Sequence, residues 1–175
     1  MFRGLAAIWL WAQDPEHRQR VALLARTELF AGMRKRVLGR IATRMFEKSY
    51  APGEEIFCEG DPGKALFVIV EGRVEVVRQG HTGEERLGEL AGESVFGEMA
   101  LVDDLPRSAT ARAVAPTRLL LLYRSHFDEL MERDPRVGLA LCRSLLRTLA
   151  RYVRSRQVSG VPEPSPPAVA STGLP

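Results

Sequence analysis

The sequence predicts an α+β domain in which an antiparallel β-roll of the jelly-roll type carries helices at both ends. Three observations predict it. Residues 5 to about 47 hold long proline-poor stretches, among them Val37, Leu38, Ile41 and Met45 at helical spacing. From Ala51 onward the chain changes to short β-prone runs cut by turn signals at Asp61-Pro62-Gly63, Glu71-Gly72, Gly80-His81-Thr82-Gly83 and Ala91-Gly92. Helical periodicity then returns after Tyr123.

The expected strands are Glu55 to Cys58, Ala65 to Val70, Arg73 to Arg78, Glu84 to Leu90, Ser108 to Val114 and Arg118 to Tyr123, with short additions near Lys48 to Tyr50 and Ser94 to Phe96. Alternation points Val74 and Val76 inward, whereas Leu66 to Val70 and Leu119 to Leu122 are unbroken apolar runs suited to burial on both faces. Ser125 with Asp128 resembles a capping box, and Asp134-Pro135 places a cap before a proline at the first position of a helix running to about Arg156. On that helix Leu139, Cys142, Leu146, Leu149 and Val153 repeat as a heptad seam, suited either to dimerisation or to packing on the β-domain. The division read from these signals is 1–47 helical, 48–157 domain and 158–175 a Pro-rich disordered tail.

A composition of 45% apolar and 27% charged residues over 175 positions is that of one globular core. The net charge of +3 is unevenly spread: 10 basic and 4 acidic groups in 1–50, 8 and 15 in 51–130, 7 and 2 in 131–157. An acidic middle between basic ends argues against a uniformly basic nucleic-acid binder and leaves the flanks free to touch phosphate or lipid. Cys58 and Cys142 have no CxxC or histidine partner spacing, so they read as free thiols. His17, His81 and His126 are scattered without a nucleophile or metal partner, which leaves an enzyme without a chemical basis. The run Leu5 to Ala12 is too short to span a bilayer; with Trp9 and Trp11 it reads as a packed helix or, alternatively, an interfacial membrane anchor, and the protein is expected in the cytoplasm.

The functional signal lies in Phe96 to Ala113, FGEMALVDDLPRSATARA. Gly97 lets backbone approach a ligand, a short turn from Glu98 offers amides to an anion, and Arg107 can pair with the same anion. Glu98 beside a phosphate needs another partner, such as a sugar hydroxyl. From the residues alone, a plain turn with a surface salt bridge is the stronger reading, since Gly-Glu and Pro-Arg pairs are common. The motif is similar to the phosphate-binding cassette of the cyclic nucleotide-binding family, which includes bacterial catabolite activator proteins, protein kinase A regulatory subunits and cyclic nucleotide-gated channels. YAPGEEIFCEGDPGKALFVIVEGRVEVV, from Tyr50 to Val77, resembles that family's first strands, and the likeness runs from about Leu29 to Arg156.

The resemblance implies a cupin-like roll with a short phosphate-cassette helix, and a sensor of cAMP, or of cGMP. It implies that Glu98 binds the ribose 2′-hydroxyl, Arg107 the exocyclic phosphate oxygens, Ser108 the phosphate, and that Gly97, Met99 and Ala100 supply cassette backbone. Leu87 and Phe96, with Leu90, form the apolar wall near the sugar and base or belong to the ordinary core, and Thr148, Arg151 or Tyr152 caps the base from the last helix. The Arg-Ser-Ala order favours cAMP. The signal is expected to leave through movement of the C-terminal helices to a separate effector, with no output domain recognised in the chain and no sequence-specific DNA binding. A regulatory subunit or membrane adaptor that has lost the ligand is the alternative.

Overall fold

The computed structural model describes residues 14–158. Trp9, Trp11 and the Pro-rich tail lie outside the described residues. Helix α1 (Pro15–Arg26) opens on Asp14, whose side chain accepts a bond from the Glu16 amide at 3.0 Å, with proline following the cap. It ends at Thr27, a 3₁₀ turn spans Glu28–Phe30, and α2 covers Lys35–Ala42. The helical reading to residue 47 therefore overran. Phe46–Tyr50 is already strand β1, held by pairing along β8 (Thr117–Tyr123).

The remaining strands are β2 (Glu55–Phe57), β3 (Ala65–Glu71), β4 (Arg73–Gly80), β5 (Gly83–Ala91), β6 (Val95–Phe96) and β7 (Thr110–Ala113). They form two antiparallel four-stranded sheets, ordered β1-β8-β3-β6 and β2-β7-β4-β5. Helices flank eight antiparallel strands as expected, but among the described residues no ladder joins the two sheets, so the β-roll expected from sequence is instead an open pair of facing sheets. The C-terminal helices are α3 (Arg124–Arg133) and α4 (Pro135–Val158).

The apolar runs in β3 and β8 explain why the molecule has two cores. Phe67, Ile69, Leu119 and Leu121 face the second sheet, where they meet Val74, Ala111 and Ala113. Leu66, Val68, Leu120 and Leu122 face the helices, where they meet Leu24, Phe30, Leu38, Ile41, Phe127 and Leu141. Each such side chain, fully buried, contributes about 1.5–3 kcal/mol, so this central sheet anchors both halves.

Two local expectations fail for clear reasons. Ser125 does not cap α3, because β8 runs straight into the helix and Tyr123 occupies the cap position without a side-chain bond. Val76 is only half-buried while Val77 is buried, since a bulge between them in the β4–β5 pairing shifts the alternation. The Asp134 cap forms, its carboxylate accepting from the Val137 amide at 3.4 Å.

Candidate functional site

The site is built where three distant pieces of chain meet. β6 ends at Phe96, and Gly97 turns the backbone with φ 70° and ψ 19° into a 3₁₀ turn, Glu98–Leu101. That left-handed conformation suits glycine. A Cβ here would also lie 2.7 Å from Arg107 Nη1, so glycine is favoured on two counts. The Asp61-Pro62-Gly63 turn then fixes Arg107: the Arg107 amide donates to the Asp61 carbonyl at 2.8 Å, and the Gly60 amide donates to the Arg107 carbonyl at 2.9 Å. Gly63 lets that turn approach the 3₁₀ segment, because a Cβ there would meet Ala100 Cβ at 2.7 Å.

Arg107 is the unusual residue of the site. Only 9% of it is exposed. Its Nη1 donates to the Gly97 carbonyl at 3.1 Å and its Nη2 to the Ala65 carbonyl at 2.7 Å. The guanidinium carbon sits 4.1 Å from the Phe57 ring centroid and 5.6 Å from that of Phe67. Nε is buried without a hydrogen-bond partner. Burial pulls the guanidinium pKa down, opposed by the charges of Asp61 and Glu98. Burial likewise pushes the Glu98 carboxyl above the usual carboxylate range, against the pull of its own amide and of Arg107. This buried cation hydrogen-bonds neutral carbonyls, is touched by Asp61 and Glu98 through charge alone, and keeps donors that can take an anion.

Beside it opens a cavity of about 300 Å³. Of the residues expected from sequence, Phe96, Gly97, Glu98, Met99, Ala100, Arg107, Ser108 and Thr148 all line it. Leu87 does not: it stands on β5 and is 48% exposed. Leu90 packs against the inter-sheet core instead. Arg151 pairs with Glu28 rather than lining the cavity, and the Tyr152 side chain lies outside the described ones. Phe57, Asp103, Leu105 and Leu149 line the cavity unforeseen. Phe57 joins through β2 pairing with β7, Phe57 facing Ala111 across the ladder, a long-range contact that no local pattern encodes.

The helix seam divides in the structure. Val137, Leu141, Ser144 and Leu145 form the buried face of α4, whereas Leu139, Leu146 and Val153 are 61%, 65% and 53% exposed. Cys142 and Leu149 are half-buried between these faces. No helix among the described residues is long and apolar enough to cross a membrane.

Comparison with known proteins bears on this cavity. The family model described as cyclic nucleotide-binding domain matches residues 47–134, which include the strands and the whole cassette. The chain is 37% identical over 122 residues to the cyclic AMP receptor protein of Thermus thermophilus, covering 69% of this chain and 56% of that one. It is 29% identical over 133 residues to a CRP-like cAMP-activated global transcriptional regulator of Mycobacterium tuberculosis, covering 75% and 58%. The chain thus spans little more than half the length of these curated relatives. The crystal structure of the N-terminal domain of a transcriptional regulator from Streptomyces coelicolor superposes with a TM-score of 0.68 at 30% identity, covering 81% of this chain and 99% of that one.

Proposed function

Since this chain belongs to the cyclic nucleotide-binding domain family, a family of regulatory, non-catalytic domains, we propose that its cavity holds cAMP in preference to cGMP and signals occupancy through α3 and α4. The observation that carries the proposal is Arg107: a desolvated guanidinium with an unpartnered Nε at the wall of a cavity of about 300 Å³, the low end of ligand-pocket sizes. In this reading the exocyclic phosphate oxygens take the guanidinium and the Ser108 hydroxyl, with Gly97, Met99 and Ala100 supplying backbone. Glu98 accepts from the ribose 2′-hydroxyl, and Phe96 and Thr148 bound the sugar and base. The preference for cAMP rests on serine after the arginine and on the likeness to a cyclic AMP receptor protein of Thermus and a cAMP-activated regulator of Mycobacterium.

A ligand shifts a conformational equilibrium only by its differential affinity for the two states. Thr148 and Leu149 carry α4 to the cavity wall, so a bound base gives that helix a contact the empty site lacks. The exposed stripe of Leu139, Leu146 and Val153, at seven-residue intervals, supports a homodimer through α4, with an effector protein reading the helices. The setting proposed is the cytoplasm.

Calorimetric titration with cAMP and with cGMP tests the reading, with hydrogen exchange along residues 124–158 followed in the same samples. Tighter binding of cAMP and altered exchange in α4 are expected. Silence toward both nucleotides at millimolar concentration would sink the function while leaving the fold intact. Leu146→Asp should convert the dimer to monomer in analytical ultracentrifugation; an unchanged sedimentation coefficient would remove the dimer.

A further inference from the structure

A second cavity lies along the first half of α4. Between α2 and the first half of α4 runs a groove of about 510 Å³, walled by Arg34, Arg36, Arg40, Arg136, Arg143 and Arg147 over a floor that includes Met33, Val37, Val137 and Ala140. No carboxylate lines it. Of the six arginines only Arg40 makes an ion pair among the described residues, with Asp134 at the start of α4. On the strands, by contrast, Arg73, Arg78, Arg86, Arg112 and Arg118 each lie within 4.0 Å of a carboxylate. The groove is therefore a local concentration of unmatched positive charge.

We propose that this groove docks an acidic peptide segment of a partner protein, five or so residues long, in which carboxylates alternate with apolar side chains. Arg136, Arg143 and Arg147 extend over eleven positions of α4, about 17 Å at the helical rise of roughly 1.5 Å per residue. An extended peptide at about 3.4 Å per residue covers that length with five residues, and its successive side chains point to opposite faces. One set meets guanidinium groups on the walls, where planar forks match carboxylates. The other set meets Met33, Val37 and Ala140 on the floor. A nucleic-acid backbone offers nothing apolar to that floor, and the lining contains no aromatic ring on which a single-stranded base would stack. A flat bilayer surface does not reach a recess between two helices.

The groove shares no lining residue with the Arg107 cavity, so its occupancy stands or falls separately from nucleotide binding. It nevertheless ends at Arg147, the neighbour of Thr148 in the nucleotide cavity, which places the docked peptide on the helix that the proposed ligand would move.

The test is fluorescence anisotropy of the full chain with labelled octapeptides in which Glu alternates with Leu or Val. Glutamine counterparts, a single-stranded oligonucleotide and phosphatidylcholine–phosphatidylserine vesicles serve as competing probes. Binding of the Glu peptides should weaken at least tenfold for Arg143→Gln with Arg147→Gln, and again for Arg36→Gln on the facing helix. It should also weaken as salt rises from about 0.05 to about 0.3 M. Unchanged circular dichroism and unchanged cAMP titration of the variants show that they fold. Equal binding of Glu and Gln peptides, no binding of either, indifference to the substitutions, or tighter binding of the oligonucleotide or vesicles overturns the proposal.

Discussion

Arg107 and Arg112 stand five positions apart in one stretch of chain, yet they have opposite environments. Arg112 lies on the outer face of β7 and reaches Glu55 at 3.4 Å, Glu75 at 3.2 Å and Glu84 at 2.9 Å, which holds its pKa above the ordinary arginine value. Arg107 is buried against Phe57 and two backbone carbonyls, and its pKa is pulled below that value. A guanidinium surrounded by carboxylates has its charge compensated and can serve structure alone. One that is desolvated and only partly bonded retains an attraction for an anion from outside. The difference separates a structural arginine from a candidate ligand-binding one, although Arg-Ser-Ala-Thr-Ala-Arg reads as one polar run.

The largest test of that contrast is a pair of substitutions followed by calorimetry. Arg107→Ala removes charge-assisted bonds worth about 1.5–3 kcal/mol, so cAMP affinity should fall tenfold or more. Arg112→Ala should leave affinity within about twofold and lower stability by roughly 1–3 kcal/mol, since it strips the cation from a half-buried network of three carboxylates. Equal losses in affinity would erase the distinction.

Gly97→Ala sharpens the comparison from the side of the backbone. The left-handed conformation costs an L-residue roughly 1–2 kcal/mol, and the new methyl group would press on Arg107 Nη1. Both a lower melting temperature and weaker binding are expected; a drop in melting temperature alone would mean that Arg107 moves without consequence for the ligand. Phe57→Leu comes next. It removes a ring face 4.1 Å from the guanidinium, worth about 0.5–2 kcal/mol, and should weaken cAMP binding by less than tenfold through looser placement of Arg107.

These residues also mark what the sequence makes legible. Gly97, Glu98, Arg107 and Ser108 fall in one short motif, and the cavity gathers all four. The two-sided burial of β3 and β8 could be read from unbroken apolar runs, because periodicity is local information. Phe57 and the Asp61 turn were not legible as parts of the site, since they reach Arg107 only through pairing across some fifty residues of chain. Helix α4 is intermediate: its heptad seam was visible, but which of its stripes faces the domain depends on how α1, α2 and α3 pack. Leu87 fails for a related reason, as alternation along β5 cannot say that this strand is an edge of its sheet.

Glu98 gives the finest test, because it lines the same cavity as Arg107 with the opposite charge. Its carboxyl is raised from 4.5 chiefly by burial, so the native state favours the protonated form. The sign follows from linkage: this contribution to stability is fully present below the unfolded-state value and is lost as pH rises through the raised native one. Glu98→Gln is neutral throughout. Its melting temperature should therefore match that of the wild type near pH 4 and exceed it at pH 7, while cAMP binding weakens as the charged acceptor for the ribose is lost. A melting gap that stays constant with pH would show that the carboxylate is solvated in the empty site, and that burial of the pocket charges, the basis for separating Arg107 from Arg112, does not extend to its acidic partner.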